Sequence, residues 1–81
     1  MHVDIRLFAQ LRDKAGVAEL SLELADGATA RAAWTALVDA HPDLAPFASS
    51  VSCAVNAAYV PMHTTVHAGD EVAFLPPVSG G

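Results

Sequence analysis

Two adjacent prolines, Pro76 and Pro77, set the tightest limit on how this chain can fold. They follow Glu71-Val72-Ala73-Phe74-Leu75, in which polar or small residues alternate with large apolar ones. A period of two is the pattern of a strand with one buried face. Proline fixes φ and brings no N–H to a sheet ladder, so the strand must end at Leu75. Beyond the prolines stand Val78, Ser79, Gly80 and Gly81. Such a run has little with which to pack. It reads either as a frayed end, the usual state of such a terminus, or as a terminus held out for another molecule; a stiff exit directly off a strand adds weight to the second and leaves both open. The expected organisation is therefore a folded domain over residues 1–75 and a flexible tail over residues 76–81.

The rest of the chain supplies the body. Val3, Ile5 and Leu7 alternate with His2, Asp4, Arg6 and Phe8, which predicts a first strand with Phe8 on the face opposite the core. Ala9 to Ala15 predicts a short helical turn, closed by Gly16. Leu20, Leu22 and Leu24 alternate with Glu19, Ser21 and Glu23, giving a second strand that forms a hairpin with the first; Asp26-Gly27 turns out of it. Thr29 can cap a helix from about Ala30 to Ala40, whose Ala30, Ala33, Trp34, Leu37, Val38 and His41 share one face. Pro42 ends it. Leu44 and Phe47 are expected to tuck under the sheet from a loop or helical turn. A short strand around Cys53 and Val55, a turn at Asn56-Ala57-Ala58 and a short return strand at Tyr59-Val60 follow. One mixed sheet with a single main helix on one face satisfies this order.

Charge and composition exclude several functions. Nine acidic residues against four basic ones give a formal net charge of −5, the wrong sign for a phosphate backbone, so no nucleic-acid partner is expected. No apolar run is long enough to span a bilayer, and no basic-then-apolar leader opens the chain, so a cytoplasmic location is expected. The single cysteine, Cys53, rules out an internal disulfide and reads as a small buried hydrophobe. His63 and His67 are four apart, but the β-branched Thr64, Thr65 and Val66 between them argue against a helix, and no third ligand lies near; no metal site is expected. There is no phosphate loop and no nucleophile elbow, so the chain shows no self-contained catalytic site.

The order of elements together with the Gly80-Gly81 end resembles the ubiquitin-like β-grasp family, an α+β fold with a mixed sheet of about five strands. Within it, Phe8-Ala9-Gln10-Leu11-Arg12-Asp13, Ala54-Val55-Asn56 with Tyr59-Val60, and the segment from Gly69 to Gly81 resemble the small, sulfur-carrying subunits of molybdopterin synthase. The resemblance spans the whole chain and is most specific in the last segment. It implies that the N- and C-terminal strands are parallel neighbours. It also implies a chemistry in molybdenum cofactor biosynthesis. An adenylyltransferase similar to ubiquitin-activating enzymes uses ATP to adenylate Gly81, and a sulfur donor protein converts it to a thiocarboxylate. The sulfur then passes to precursor Z, the cyclic pyranopterin monophosphate, in the large catalytic subunit of a heterotetramer.

On this view the chain binds no cofactor itself, and the catalytic side chains belong to the partner. Gly81 carries the reacting group behind Gly80. Six residues from Pro76 onward reach roughly 20 Å when extended, enough to enter a partner's pocket through Pro76, Pro77, Val78 and Ser79. Phe8, Tyr59 and Leu75 are the expected docking residues. Two other clients fit the same end: a thiazole-forming carrier for thiamine, and a ubiquitin-like modifier joined through Gly81 to lysines of other proteins.

Overall fold

The strand that carries the tail lies at the centre of the sheet. In the computed structural model, which describes residues 1–77, five strands form one sheet: β1 (His2–Leu7), β2 (Glu19–Glu23), β3 (Ser52–Val55), β4 (Ala58–Val60) and β5 (Glu71–Leu75). They are ordered β2-β1-β5-β3-β4. β5 runs parallel to β1, with Ile5 opposite Val72 and Leu7 opposite Phe74, and antiparallel to β3. β1 and β2 are antiparallel, joined through helix α1 (Ala9–Ala15). The mixed sheet, the parallel pairing of the terminal strands and the single main helix agree with the expectation.

Alternation puts Val3, Ile5, Leu7, Val72 and Phe74 on one face, all fully buried or nearly so. Helix α2 (Ala30–Ala40) covers that face with Ala30, Ala33, Trp34 and Leu37. The small side chains at Ala30 and Ala33 let the helix approach closely. Val38 and His41, expected on the same face, are only half-buried and mark its rim. Leu44, in the 3-10 turn Pro42–Phe47, is fully buried and Phe47 half-buried, so the loop expected there does tuck beneath the domain as a helical turn.

The helix ends are satisfied locally. Gly16 adopts φ 79° and its N–H donates to the Arg12 carbonyl at 2.8 Å, closing α1. At the start of α2, Thr29 Oγ1 accepts from the Ala32 N–H at 3.2 Å. The amides of Ala30 and Arg31 donate to the Thr64 and Met62 carbonyls at 2.9 and 2.8 Å. The stretch between β4 and β5 thus serves as a cap for α2, using donors that a helix start otherwise leaves free.

The β3–β4 turn departs from ideal chemistry. Its two central residues, Asn56 and Ala57, have φ of 51° and 72°. Both lie in the left-handed region that a tight two-residue hairpin needs, where asparagine followed by glycine is the usual pair. Alanine there carries the Cβ penalty. Ala57→Gly is expected to raise stability by about 0.5–1 kcal/mol, read as a higher midpoint in urea at unchanged slope. A lowered midpoint would show that the turn gains more from a restricted unfolded chain than it loses in strain.

Candidate functional site

The sheet face opposite α2 carries the candidate site, and the pairing register fixes which side chains meet there. Arg6 lies opposite Ala73, Ala73 opposite Ala54, and Ala54 opposite Tyr59, so these four residues form one row across β1, β5, β3 and β4. One step toward the exit, Leu75 lies opposite Ser52. Phe8 keeps extended backbone angles, φ −125° and ψ 154°, so it continues the alternation of β1 and falls beside Leu75 on the same face. Phe8 is 43% exposed and Tyr59 73%, while Leu75 is half-buried.

The three expected docking residues therefore share one face. Phe8 and Leu75 are adjacent, and Tyr59 stands two strands from Leu75 and one row back, roughly 12 Å away on the same face. Ala73 and Ala54 fill the ground between them. These two were missed in the sequence because alanine carries no signal of its own. The signal was available in the two-residue hairpin, which pairs Ala54 with Tyr59 and so puts both on one face. Ala54 is 8% exposed, which makes it the floor of a shallow apolar strip.

Charge borders this strip on the β1 side. The Arg6 guanidinium meets Glu19 on β2 at 3.2 Å and Glu71 on β5 at 3.0 Å, spanning three neighbouring strands. Exposed pairs of this kind contribute at most about 1 kcal/mol each. Their role is to mark where apolar surface gives way to acidic surface.

The start of β5 is fixed by a polar latch. Asp70 Oδ1 accepts from Asn56 Nδ2 at 2.9 Å, and Asp70 Oδ2 accepts from the His67 amide at 2.8 Å. Asn56 Oδ1 in turn accepts from the Glu71 amide at 3.0 Å. The hydrogen bond from Asn56, then that from His67, hold the Asp70 carboxyl below the usual carboxylate range. A folded-state pKa below the unfolded value contributes stability that is present above the ordinary carboxylate pKa and is lost as pH falls through the folded one. Asp70→Ala is expected to cost about 1–2 kcal/mol at neutral pH. That difference from the unaltered protein should shrink as melts are taken below pH ~4. A difference independent of pH would assign the loss to packing.

The remaining candidates stay apart from this face. Cys53 is 1% exposed, and burial pushes its thiol up, with Arg31 offsetting part of the effect. His63 and His67 are exposed, and no cluster of metal-ligating side chains occurs among the described residues. No helix of the described residues is long and apolar enough to cross a membrane. Leu75 leads into half-buried Pro76 and exposed Pro77 at the end of the apolar strip. Val78, Ser79, Gly80 and Gly81, expected to carry the reaction, lie outside the described residues.

Comparison with known proteins bears on the whole chain. A family model described as the ThiS family matches residues 5–81. The molybdopterin synthase sulfur carrier subunit of Chlamydomonas reinhardtii is 37% identical over 83 residues, covering all of both chains. That of Arabidopsis thaliana is 35% identical over 81 residues, covering all of this chain and 84% of the other. The crystal structure of SAMP1, small archaeal modifier protein 1, from Haloferax volcanii matches with a TM-score of 0.89 at 31% identity, over all of both chains.

Proposed function

This chain belongs to the ThiS family, and from that membership we propose that it acts as the sulfur carrier subunit of a molybdopterin synthase. The observation that carries the reading is the match to carriers so named over the full length of the chain, tail included. The architecture fits the role. A central strand paired on both sides feeds directly into Pro76-Pro77, so the exit starts from the middle of the sheet.

In the proposed cycle the Gly81 carboxylate attacks the α-phosphorus of ATP on an adenylating enzyme and pyrophosphate leaves. A sulfide equivalent released by the sulfur donor then attacks the acyl carbon, the bond from that carbon to the phosphate oxygen breaks, AMP leaves, and a thiocarboxylate remains. Its sulfur is delivered to the cyclic pyranopterin precursor in the large subunit, and two carriers provide the two sulfurs of the dithiolene. The large subunit, the adenylating enzyme and the sulfur donor are the proposed partners, with the cytoplasm as the compartment. This chain contributes the reacting terminus and the docking face, with no cofactor of its own. Incubation with ATP and its activating enzyme, and then with the sulfur donor added, followed at each stage by intact mass spectrometry, tests the cycle. The free chain should gain first an adenylate and then the mass of one oxygen replaced by sulfur. A chain left unchanged would sink the reading.

Phe8, Leu75 and Tyr59 are the proposed contacts with the large subunit and the activating enzyme. Central apolar contacts in interfaces cost about 2 kcal/mol or more when lost. Phe8→Asp or Leu75→Asp should therefore weaken the complex by roughly 30-fold in Kd. Phe8→Asp should leave stability within about 0.5 kcal/mol, because Phe8 is already exposed. Isothermal titration and a thermal melt on the same sample separate the two. Parallel losses in affinity and stability would return Phe8 to the core.

The likeness to SAMP1 favours a second reading, in which the activated Gly81 is transferred to amines of other proteins. Both readings share the adenylation step. They part at the product, a thiocarboxylate on the free chain or branched peptides on other proteins.

A further inference from the structure

Three non-glycine residues among the described ones take a left-handed backbone: Ala9 at φ 49°, Asn56 at 51° and Ala57 at 72°. The last two have an evident reason, because the tight β3–β4 hairpin demands that conformation of both. Ala9 has no such reason. It is the first residue of α1, where φ is ordinarily near −63°. It is also exposed, so no core contact of its methyl group forces the angle. A non-glycine residue persists in this region only where its surroundings hold it, and such residues cluster at functional sites.

The surroundings of Ala9 are fixed on both sides. Toward the sheet, Leu7 pairs with Phe74, and its amide donates to the Ala18 carbonyl at 2.9 Å. Toward the helix, Leu11 is fully buried, and the amides of Leu11 and Arg12 donate to the Phe8 carbonyl at 3.1 and 3.4 Å. The chain turns from extended to helical between these points, and Phe8 is its last extended residue. The φ of Ala9 therefore sets how the Phe8 peptide leaves the sheet, and with it the direction of the Phe8 side chain. Glycine would take this angle without strain, but it populates φ of either sign. A residue with a Cβ has only a small left-handed well. Alanine thus costs stability here and narrows the joint.

We infer that Ala9 is a positioning residue, whose confined left-handed backbone sets Phe8 on the open sheet face before a partner arrives. The inference rests on the docking face proposed above. Phe8 lies beyond the last paired residue of β1, so pairing alone does not hold it. Ordering a side chain and its backbone at the moment of binding lowers affinity, and a preset one avoids that loss. Tyr59 needs no such device, because Ala54 opposite it and the pair Val55 and Ala58 already hold its strand.

Ala9→Gly tests the assignment, because the inference sends its stability and its affinity in different directions. Its midpoint in urea should equal or exceed that of the unaltered chain, since relief at the Cβ offsets the freedom glycine adds to the unfolded state. Its Kd for the large synthase subunit, by isothermal titration, should rise roughly three- to tenfold. In the free chain, backbone order parameters at residues 8 and 9 should fall clearly below the rigid value of about 0.85. Ala9→Asn, which keeps a Cβ and tolerates the left-handed region, should restore both the affinity and the order. Ala57→Gly relieves the same kind of strain away from Phe8 and should leave Kd unchanged. An unaltered Kd or unaltered order in Ala9→Gly overturns the inference. So does a weaker complex with a lowered midpoint, an Ala9→Asn chain as loose as Ala9→Gly, or an equal loss in Ala57→Gly. Phe8→Asp in the same titration separates the two levels. If it binds as tightly as the unaltered chain, the docking face itself is overturned; if it weakens the complex and Ala9→Gly does not, only the role of Ala9 is.

Discussion

Deletion of Gly81 is expected to abolish thiocarboxylate formation while the melting temperature stays where it is. The two halves of this result have separate causes. Every buried residue of the described core lies between Val3 and Phe74, so deleting Gly81 removes none of those residues. Stability should move by no more than about 0.5 kcal/mol. The chemistry is far less tolerant. Removing one residue draws the carboxylate back by roughly 3.5 Å along an extended tail. Misplacement of a reacting group by even 1 Å costs on the order of a hundredfold. A loss of at least that size in ATP-dependent pyrophosphate exchange, with binding to the activating enzyme retained, is the expected pattern. Retained exchange would show that the enzyme does not read the length of the tail. Loss of binding as well would move the recognition energy from the sheet face into the tail.

The sheet was legible wherever one face met water and the other met the core. Val3-Ile5-Leu7 and Val72-Phe74 each show this contrast, and the structure buries those five residues. The first turn, the main helix and its threonine cap were legible for a similar reason, since Gly16 and Thr29 are residues that those positions require. What stayed hidden depended on contacts between distant segments. Met62 and Thr64 carry no capping signature, because they act through backbone carbonyls, which every residue has. Asn56 reads as an ordinary turn residue, and its bond to Asp70 becomes visible only when β3 is laid against β5. Phe8, Tyr59 and Leu75 could be assigned to one face from the sequence because a large apolar side chain on a polar face is informative. Ala54 and Ala73 were not, since small size is compatible with either face. The parallel pairing of β1 and β5 came from family resemblance, because pattern alone leaves the order of strands open.

Phe74→Ala is expected to have the largest effect on folding. Phe74 is fully buried on the central strand, and its ring meets that of Trp34 edge to face at a centroid distance of 5.2 Å and an angle of 67°. Removing a buried phenyl ring costs about 3–5 kcal/mol through lost transfer energy and the cavity left behind, and an edge-to-face partner adds to that. The indole cannot compensate by finding a new role. Trp34 is itself buried, and its Nε1 has no hydrogen-bond partner among the described residues, so it contributes through ring packing alone. A domain of this size has roughly 5–12 kcal/mol in hand, so the variant sits near its unfolding threshold. The melting temperature should fall by at least about 12 °C. Phe74→Leu, which keeps much of the volume, should recover more than half of that loss. This core contact also bears on the carrier role, because Leu75 and Pro76 follow Phe74 directly and take their direction from it. Stability and sulfur transfer should therefore fall together in Phe74→Ala, in contrast to the Gly81 deletion. A Phe74→Ala protein that melts within a few degrees of the original would place the anchor of the tail elsewhere, in the polar latch at Asp70 or in the Arg6 pairs.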